Sequence, residues 1–163
     1  MTTFSSEKTF SSLHALFFEK FINLLTTHGK KTKALKIFFS VLTLLDEKAK
    51  IYGADVATLS AGEIFEIGIK NCAPNLQVRK VRVAGTTYLV PAILAKKKQE
   101  ALAMRWIIEA AKKKKKTSRT GIAVCLADEI FDAYLHQGAA RAKRNECHRL
   151  AEANRAYTRY RWW

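Results

Sequence analysis

The sequence predicts a mainly α-helical protein, a bundle of six helices with one protruding two-stranded β-hairpin between helices three and four. The 163 residues include only 2 Pro and 7 Gly, too few for the many turns of an all-β sandwich. Apolar residues, 48% of the chain, recur mostly at helical spacing. Residues 76–94 differ, because their Val, Thr and Tyr content is typical of strands. We expect one domain over residues 1–163, with a short N-terminal arm at residues 1–12.

Helices one and two are predicted by apolar residues three and four positions apart. Helix one has this spacing at Leu13, Phe17, Phe21 and Leu24. Gly29 follows it and provides a left-handed stop. Helix two begins near Thr32 and has its apolar face at Leu35, Phe38, Leu42 and Leu45.

A capping box predicts the start of helix three, with Ser60 as the cap and Glu63 reaching back to it. Pro74 ends this helix. Its apolar face is expected at Ile64, Phe65, Ile69 and Cys72.

The predicted hairpin has a basic first strand, because Arg79, Lys80 and Arg82 place positive charge on both of its faces. An Ala-Gly turn at residues 84–85 joins the strands. Such a ribbon could be an edge that positive charge protects against aggregation, or an arm that reaches along RNA. The arm is favoured, because the cations continue into Lys96–Lys98.

Helix four begins near these lysines, and its core spacing falls at Ala101, Met104, Ile108 and Ala111. The run Lys112–Lys116 is expected to begin the connection to helix five. Helix five spans roughly Ser118–His136, with Gly138 as its stop. Its inward residues are Ile122, Leu126, Ile130, Phe131 and Tyr134.

Helix six is predicted over roughly Ala139–Tyr160, with an apolar face that packs and a basic stripe that faces outward. Leu150, Ala153 and Tyr157 form the apolar side. At 100° per residue, the stripe falls within an arc of about 60°. Its members are Arg141, Arg144, His148, Arg155 and Arg159.

The charge of the chain is concentrated in its second half. The chain has 29 Lys and Arg against 14 Asp and Glu, a net charge of +15. Residues 76–163 alone hold a net charge of +13 and all ten arginines. Arginine suits bidentate contacts with phosphate and stacking on bases, so this half should bind a polyanion. Nucleic acid is therefore the expected partner.

Other classes of function have little support. The chain has no glycine-rich phosphate loop, zinc-ligand spacing or paired Cys/His signature, so we expect no enzyme, cofactor or metal. The three cysteines are expected to be small core residues. No apolar run approaches a membrane span, and helix six lacks the aromatic face of an interfacial helix. A basic RNA-binding factor that acts outside any larger particle is one candidate function.

Four segments in the second half share their order and spacing with one known family. They are Gly85–Pro91 after the turn, Ala101–Ala111 in helix four, Leu126–Ile130 in helix five and Lys143–Ala156 in helix six. Together they closely resemble small-subunit ribosomal protein seven, the S-seven family. The turn at residues 29–31 and the ending at residues 160–162 resemble it too, so the similarity covers about residues 7–163.

The resemblance implies a helical bundle with one hairpin and a structural role in the head of the small ribosomal subunit. It implies binding to the 3′ major domain of the small-subunit rRNA and a part in starting head assembly. The hairpin and last helix would line the region of exit-site tRNA and emerging mRNA. Small-subunit protein eleven and neighbouring head proteins would be partners, with no membrane involved.

Charge and resemblance together predict a set of rRNA-binding residues. The terminal tryptophans could stack on bases or cover the bundle. The predicted contacts are Lys30, Lys31, Lys33, Arg79, Lys80, Arg82, Tyr88, Lys96, Lys97, Lys98, Arg105, Lys112, Lys113, Lys114, Arg141, Lys143, Arg144, His148, Arg155, Arg159 and Trp162.

Some features depart from the usual family pattern. The start is a short, nearly neutral segment where the family has a longer basic arm. The Thr117–Thr120 insertion and the pair Trp162-Trp163 resemble the mitochondrial branch. We therefore expect a mitochondrial location, with plastid or bacterial cytoplasm as alternatives.

Overall fold

The computed structural model of the chain describes residues 12–53, 56 and 58–163. Helices α1 to α3 span Ser12–Leu25, Lys31–Tyr52 and Ala61–Cys72, and strands β1 and β2 span Leu76–Val83 and Thr86–Ile93. Helices α4 to α6 span Lys96–Thr117, Ile122–Tyr134 and Ala139–Ala153, and a 3₁₀ helix spans Arg155–Tyr160. The predicted mainly α fold, with a hairpin between the third and fourth helices, is confirmed. The predicted N-terminal arm lies, except for its last residue, outside the described residues.

Helix α5 lies at the centre of the bundle and packs against α2, α3 and α4. Its Leu126 and Ile130 are completely buried. Towards α1 the core is aromatic, and Phe21 and Phe65 meet edge-on with ring centroids 4.9 Å apart. The helical apolar spacing is therefore satisfied by burial in one core, as the sequence predicted.

The capping box predicted for α3 is present in both directions. The Glu63 N–H donates to Ser60 Oγ at 3.3 Å, and the Ser60 N–H donates to Glu63 Oε2 at 2.8 Å. Farther along the helix, Gly68 faces α5 so closely that a Cβ there would lie 2.8 Å from the Ile130 carbonyl oxygen. The absence of a side chain at this position allows the two backbones to approach.

A buried carboxylate joins α5 to the start of α6. Glu129 is completely buried, and its Oε1 accepts a hydrogen bond from the Ala140 N–H at 2.8 Å. Its Oε2 lies 3.4 Å from Lys114 Nζ at the end of α4. Between the helices, Gly138 adopts φ +91°, a conformation that favours glycine. Glu129 thus satisfies an N–H in the first turn of α6 that has no partner within the helix.

The hairpin turns at Ala84 and Gly85, both with positive φ, which is typical of a type I′ turn. Its pairing runs from Leu76 opposite Ile93 to Val83 opposite Thr86. Towards the base, Val90 is completely buried, whereas residues 82–87 at the tip are exposed. Strand β1 packs on α6, and β2 packs on the 3₁₀ helix. The hairpin therefore has a fixed base and an exposed basic tip.

Two predicted boundaries are wrong. Helix α4 continues through the lysine run to Thr117, so the run is helical and is not a connection. The predicted sixth helix does not reach Tyr160, because α6 ends at Ala153 and a 3₁₀ helix follows. Side chains compete for the carbonyls at this break, since Asn154 Nδ2 donates to Leu150 O at 2.7 Å and Thr158 Oγ1 donates to Arg155 O at 2.6 Å.

The 3₁₀ geometry places Tyr157 and Tyr160 on the same side, because residues three apart eclipse each other in this helix. Both rings contact Tyr88 of β2, with centroids 5.2 Å and 4.7 Å away. Trp163 continues the three-residue spacing, and the Arg79 guanidinium lies 5.2 Å from the centroid of its ring. These contacts hold the segment after α6 against the hairpin.

Candidate nucleic-acid interface

Lysines and arginines have different partners in this protein. In the part of the chain that the structure describes, every ion pair with a carboxylate is formed by a lysine. One example is Lys48 with Asp128, which joins α2 to α5. None of the ten arginines pairs with a carboxylate among the described residues, so no described carboxylate neutralises their guanidinium charge.

The hairpin and the segment after α6 together present an exposed cationic surface, which we call the hairpin surface. The Tyr88 contacts and the Arg79–Trp163 contact hold its two parts together. Trp162 is 81% exposed, so most of its side chain is open to solvent. The members of the hairpin surface are Arg79, Lys80, Arg82, Arg155, Arg159, Arg161 and Trp162.

Two helices begin with lysines where the helix dipole favours acids. Lys30, Lys31 and Lys33 lie at the start of α2, and Lys96–Lys98 lie at the start of α4. Neither first turn contains an acidic residue or a side-chain cap. Cations at this end weaken a helix, and they increase its attraction for anions. Arg105 is exposed farther along α4, near the same lysines.

The prediction for the faces of α6 is wrong, because the basic face packs inward. Arg141 and Arg144 donate from Nη1 to the Asn71 carbonyl at 2.5 Å and 3.1 Å. This carbonyl lies at the end of α3, where the helix dipole favours a cation. On the opposite side, Leu150 is 45% exposed. Burial of Ala140 and Ala151 on the inner face lets the helix approach its neighbours closely.

The predicted stripe is therefore divided between two elements. Arg141, Arg144 and His148 are half-buried on α6, and the Nε2 of His148 accepts a hydrogen bond from the Asn75 N–H at 3.2 Å. Arg155 and Arg159 are exposed on the 3₁₀ helix, whose different pitch separates them from the others.

The lysine run is also divided. Lys114 bonds to Asp132 at 3.1 Å and lies beside Glu129, and these two carboxylates raise its pKa against the opposing effect of burial. Lys113 lies 3.5 Å from Glu109 on the same helix. Lys112 is exposed. Of the three predicted contacts in the run, Lys114 lies close to two carboxylates of α5, Glu129 and Asp132, and Lys113 to one carboxylate of its own helix.

Lys143 and Tyr88 also have partners within the protein. Lys143 Nζ lies 2.7 Å from Glu109 Oε2, and this hydrogen bond lowers the pKa of Glu109. The same ammonium lies 5.9 Å from the centroid of the Trp106 ring. Tyr88 packs against both Tyr157 and Tyr160.

The sequence prediction omitted exposed arginines that the structure reveals. Arg149 lies outside the predicted stripe, yet it is exposed on the outer side of α6. Arg161 was not predicted, although it follows Arg155 and Thr158 at three-residue spacing along one side of the 3₁₀ segment. The same spacing of Tyr157, Tyr160 and Trp163 was the signal in the sequence that could have revealed this geometry.

The cysteines are placed for packing. Cys72 and Cys125 are buried, and burial, followed by the charge of Glu129, raises the pKa of the Cys72 thiol to about 11. Among the residues described, no cluster of three His, Cys, Asp or Glu side chains could hold a metal ion. No helix in the described ranges has the length and apolar character needed to cross a membrane.

We predict that folding stability falls as His148 becomes protonated. Burial, followed by the charges of Arg144 and Arg141, lowers the pKa of His148 below its usual value. The neutral ring therefore stabilises the fold fully above the unfolded-state pKa of about 6.5, and this contribution is lost as pH falls below that value. Protonation also converts His148 Nε2 from the acceptor of the Asn75 N–H into a donor. The loss of this hydrogen bond costs on the order of 1 kcal/mol.

Urea unfolding between about pH 7.5 and 5.5 measures this effect, with His148→Gln as the control, because its amide oxygen can still accept the bond. The wild type should lose more unfolding free energy than the variant over this range. Equal losses in both proteins would contradict a role for His148.

The fold and this surface define a class: helical proteins with an exposed basic face suited to a polyanion. The sequence pattern of the family described as Ribosomal protein S7p/S5e matches residues 2–155. The chain belongs to this ribosomal protein family.

Two relatives show how similar the chain is to individual members. It is 38% identical to the small ribosomal subunit protein uS7m of Prototheca wickerhamii, over 99% of this chain and 96% of the relative. It is 43% identical to the small ribosomal subunit protein uS7 of Baumannia cicadellinicola subsp. Homalodisca coagulata, over 88% of this chain and 85% of the relative. The predicted resemblance to the S-seven family is confirmed, and the first relative supports a location in the mitochondrial ribosome.

Proposed function

We propose that this chain is a structural constituent of the small ribosomal subunit, where it binds the 3′ major domain of the small-subunit rRNA and helps to assemble the head. In this proposal the hairpin surface lines the region of the mRNA and the exit-site tRNA. Small-subunit protein eleven and neighbouring head proteins are its protein partners. The particle is the mitochondrial ribosome, and the protein has no catalytic role.

The observation that supports RNA binding most strongly is the separation of the two kinds of cation. The lysines form the ion pairs within the fold, as Lys48 and Lys114 do. Exposed arginines such as Arg82 and Arg155 have no carboxylate partner among the described residues. Guanidinium groups in this state remain available for bidentate bonds to phosphate.

The lysines at the two helix starts give additional support. The exposed Lys30, Lys31 and Lys33 are at the start of α2, where Lys31 Nζ also lies 3.6 Å from Glu19, and Lys96–Lys98 are at the start of α4. A phosphate at either place would be attracted by ammonium groups and by the helix dipole. Both places therefore suit contacts with an RNA backbone.

We predict that binding to the 3′ major domain rRNA depends steeply on salt and that the hairpin contributes to this dependence. Each phosphate neutralised contributes about 0.7–0.9 to the slope of log affinity against log salt. The double variant Arg79→Gln with Arg82→Gln should reduce the slope by about 1.4–1.8 if each arginine neutralises one phosphate. Filter binding across a salt series measures the slope.

The matched control is Lys36→Gln with Lys50→Gln, which removes the same charge from exposed positions of α2 outside the predicted contacts. It should leave the slope nearly unchanged. A flat salt response of the wild type, or equal slopes for the two double variants, would contradict the proposal.

Co-sedimentation with small subunits tests the ribosomal role separately from RNA binding. A structural constituent should remain with the subunit through a sucrose gradient. A protein that binds the rRNA but is absent from the subunit fraction would instead be a stand-alone RNA-binding factor.

A further inference from the structure

A cleft of about 490 Å³ lies between the base of the hairpin and the segment that follows α6, and we call it the C-terminal cleft. It exists because the chain leaves the axis of α6 at Asn154 and continues as a 3₁₀ helix. Its floor is formed by the hairpin and by Ala151 of α6, and one of its walls by the 3₁₀ segment. Its volume is in the range of small-molecule sites.

The floor of the cleft is apolar. Leu76 and Ile93 are opposite each other in the hairpin pairing, and Pro91 is two residues before Ile93 on the same strand. Ile93 is 69% exposed, although it lies at the buried base of the hairpin. Such a floor suits a flat, weakly polar ring that is removed from water.

The wall of the cleft is cationic. Arg155, Thr158 and Arg161 line it at three-residue spacing, which the 3₁₀ helix places on one side. Arg161 donates from Nε to the Trp163 carbonyl at 3.2 Å, and its other N–H groups remain available. The described lining contains one acidic residue, Glu152, and two arginines.

We propose that the C-terminal cleft binds one unstacked base of single-stranded RNA, with the base on the apolar floor and its flanking phosphates at Arg155 and Arg161. The Glu152 carboxylate would then accept a hydrogen bond from an amino group of the base. RNA-binding proteins commonly recognise bases that have left the stack, through the planes of aromatic or guanidinium groups and through hydrogen bonds to the base edges. The excess of arginine over glutamate favours RNA over an acidic or apolar peptide.

This inference rests on the proposed function, because it takes RNA to be the ligand. It adds that part of the binding is to a base and not to the phosphate backbone alone. Single-stranded RNA should therefore place a base in the cleft, whereas duplex RNA, whose bases are stacked and paired, should not.

The test uses the full chain with a seven-nucleotide single-stranded RNA that contains 2-aminopurine at its centre, and with a duplex of the same length. The fluorescence of 2-aminopurine rises when the base leaves the stack. The variant is Ile93→Asn, which removes the floor without changing charge. Its matched control is Ile51→Asn, because Ile51 is 85% exposed on α2.

Ile93→Asn should lower the affinity for the single strand by about tenfold and abolish the fluorescence rise, since burial of an isoleucine side chain contributes on this scale. The control should match the wild type, and the affinity for the duplex should be unchanged in both variants. Thermal unfolding should show both variants folded, since each changes an exposed side chain. Arg161→Gln retains the floor and should reduce affinity while a smaller fluorescence rise persists.

Single-strand affinity and fluorescence that are unchanged in Ile93→Asn would overturn the proposal while leaving the RNA-binding role intact. Equal losses for the single strand and the duplex would also overturn it, because the floor would then contact no base. If Ile93→Asn lowered only retention in the small subunit, the cleft would be a protein-docking site and the proposal would be wrong. A wild type that binds neither RNA would contradict the proposed function as well.

Discussion

Replacing Glu129 with alanine is expected to destabilise the folded protein by about 3 kcal/mol, because a buried hydrogen-bond acceptor and its volume are lost together. The substitution leaves the Ala140 N–H without its acceptor, removes a charge partner of Lys114 and opens a cavity beside α5. Urea unfolding at neutral pH measures the loss. Asp132→Ala is the matched control, since Asp132 is the other carboxylate that Lys114 contacts.

Asp132 has a side chain that is 39% exposed, so its removal should change stability by less than about 1 kcal/mol. Glu129→Gln separates charge from shape, because the amide oxygen can still accept from the Ala140 N–H. This variant should retain more stability than Glu129→Ala. Equal stability of Glu129→Ala and Asp132→Ala would show that the buried carboxylate does not support α6.

Charge reversal at Arg144 and at Arg155 is expected to have two different effects. Arg144→Glu should destabilise the fold by about 2 kcal/mol, because it replaces a donor to the Asn71 carbonyl with a carboxylate at the end of α3. Arg155→Glu changes an exposed residue and should leave stability within about 0.5 kcal/mol. It should instead reduce rRNA affinity by about tenfold or more through loss of a phosphate contact.

Thermal unfolding and rRNA filter binding of both variants distinguish these effects. A stripe that faces outward, as the sequence predicts, would allow charge reversal at either position without loss of folding. The half-buried position of Arg144, whose Nε is buried without a hydrogen-bond partner among the described residues, is the reason for the revised expectation. If Arg144→Glu unfolded like the wild type and lost only RNA affinity, the inward orientation of this residue would be wrong.

The sequence predicts the elements of this fold well because their signals are local. Apolar spacing alone identifies α5, whose Leu126 and Ile130 are completely buried. The capping box at Ser60 and Glu63 needs only four consecutive residues. The resemblance to the family depended on segments of this kind, distributed over the second half.

The faces of α6 were predicted wrongly because a tertiary contact decides them. A helical wheel shows which residues share a face, and the more hydrophobic face is assigned to the core. It therefore places Leu150 in the core and Arg144 in solvent. The Asn71 carbonyl that binds Arg144 lies at the end of another helix, and its position is known only from the folded structure. Likewise, nothing within a run of five lysines distinguishes Lys114, whose partner Asp132 is on α5.

The end of α6 was missed for a different reason. Asn and Thr are only weak helix breakers, so neither residue alone predicts an end, and their bonds to Leu150 O and Arg155 O reveal the change of pitch. The predicted position of Arg155 on the stripe depended on an unbroken helix. The break moves it to the C-terminal cleft, together with Arg161.

The contact of Tyr88 with Tyr157 and Tyr160 has a consequence for the order in which the protein acquires its shape during synthesis. The hairpin is synthesised well before these two tyrosines, so its strands emerge without the aromatic contacts that Tyr88 makes in the folded protein. A lone hairpin is only marginally stable in water. The contacts that hold the hairpin against the C-terminal segment therefore form only after the residues beyond Asn154 have been translated, and a nascent chain that stops before them has the hairpin arginines without these contacts.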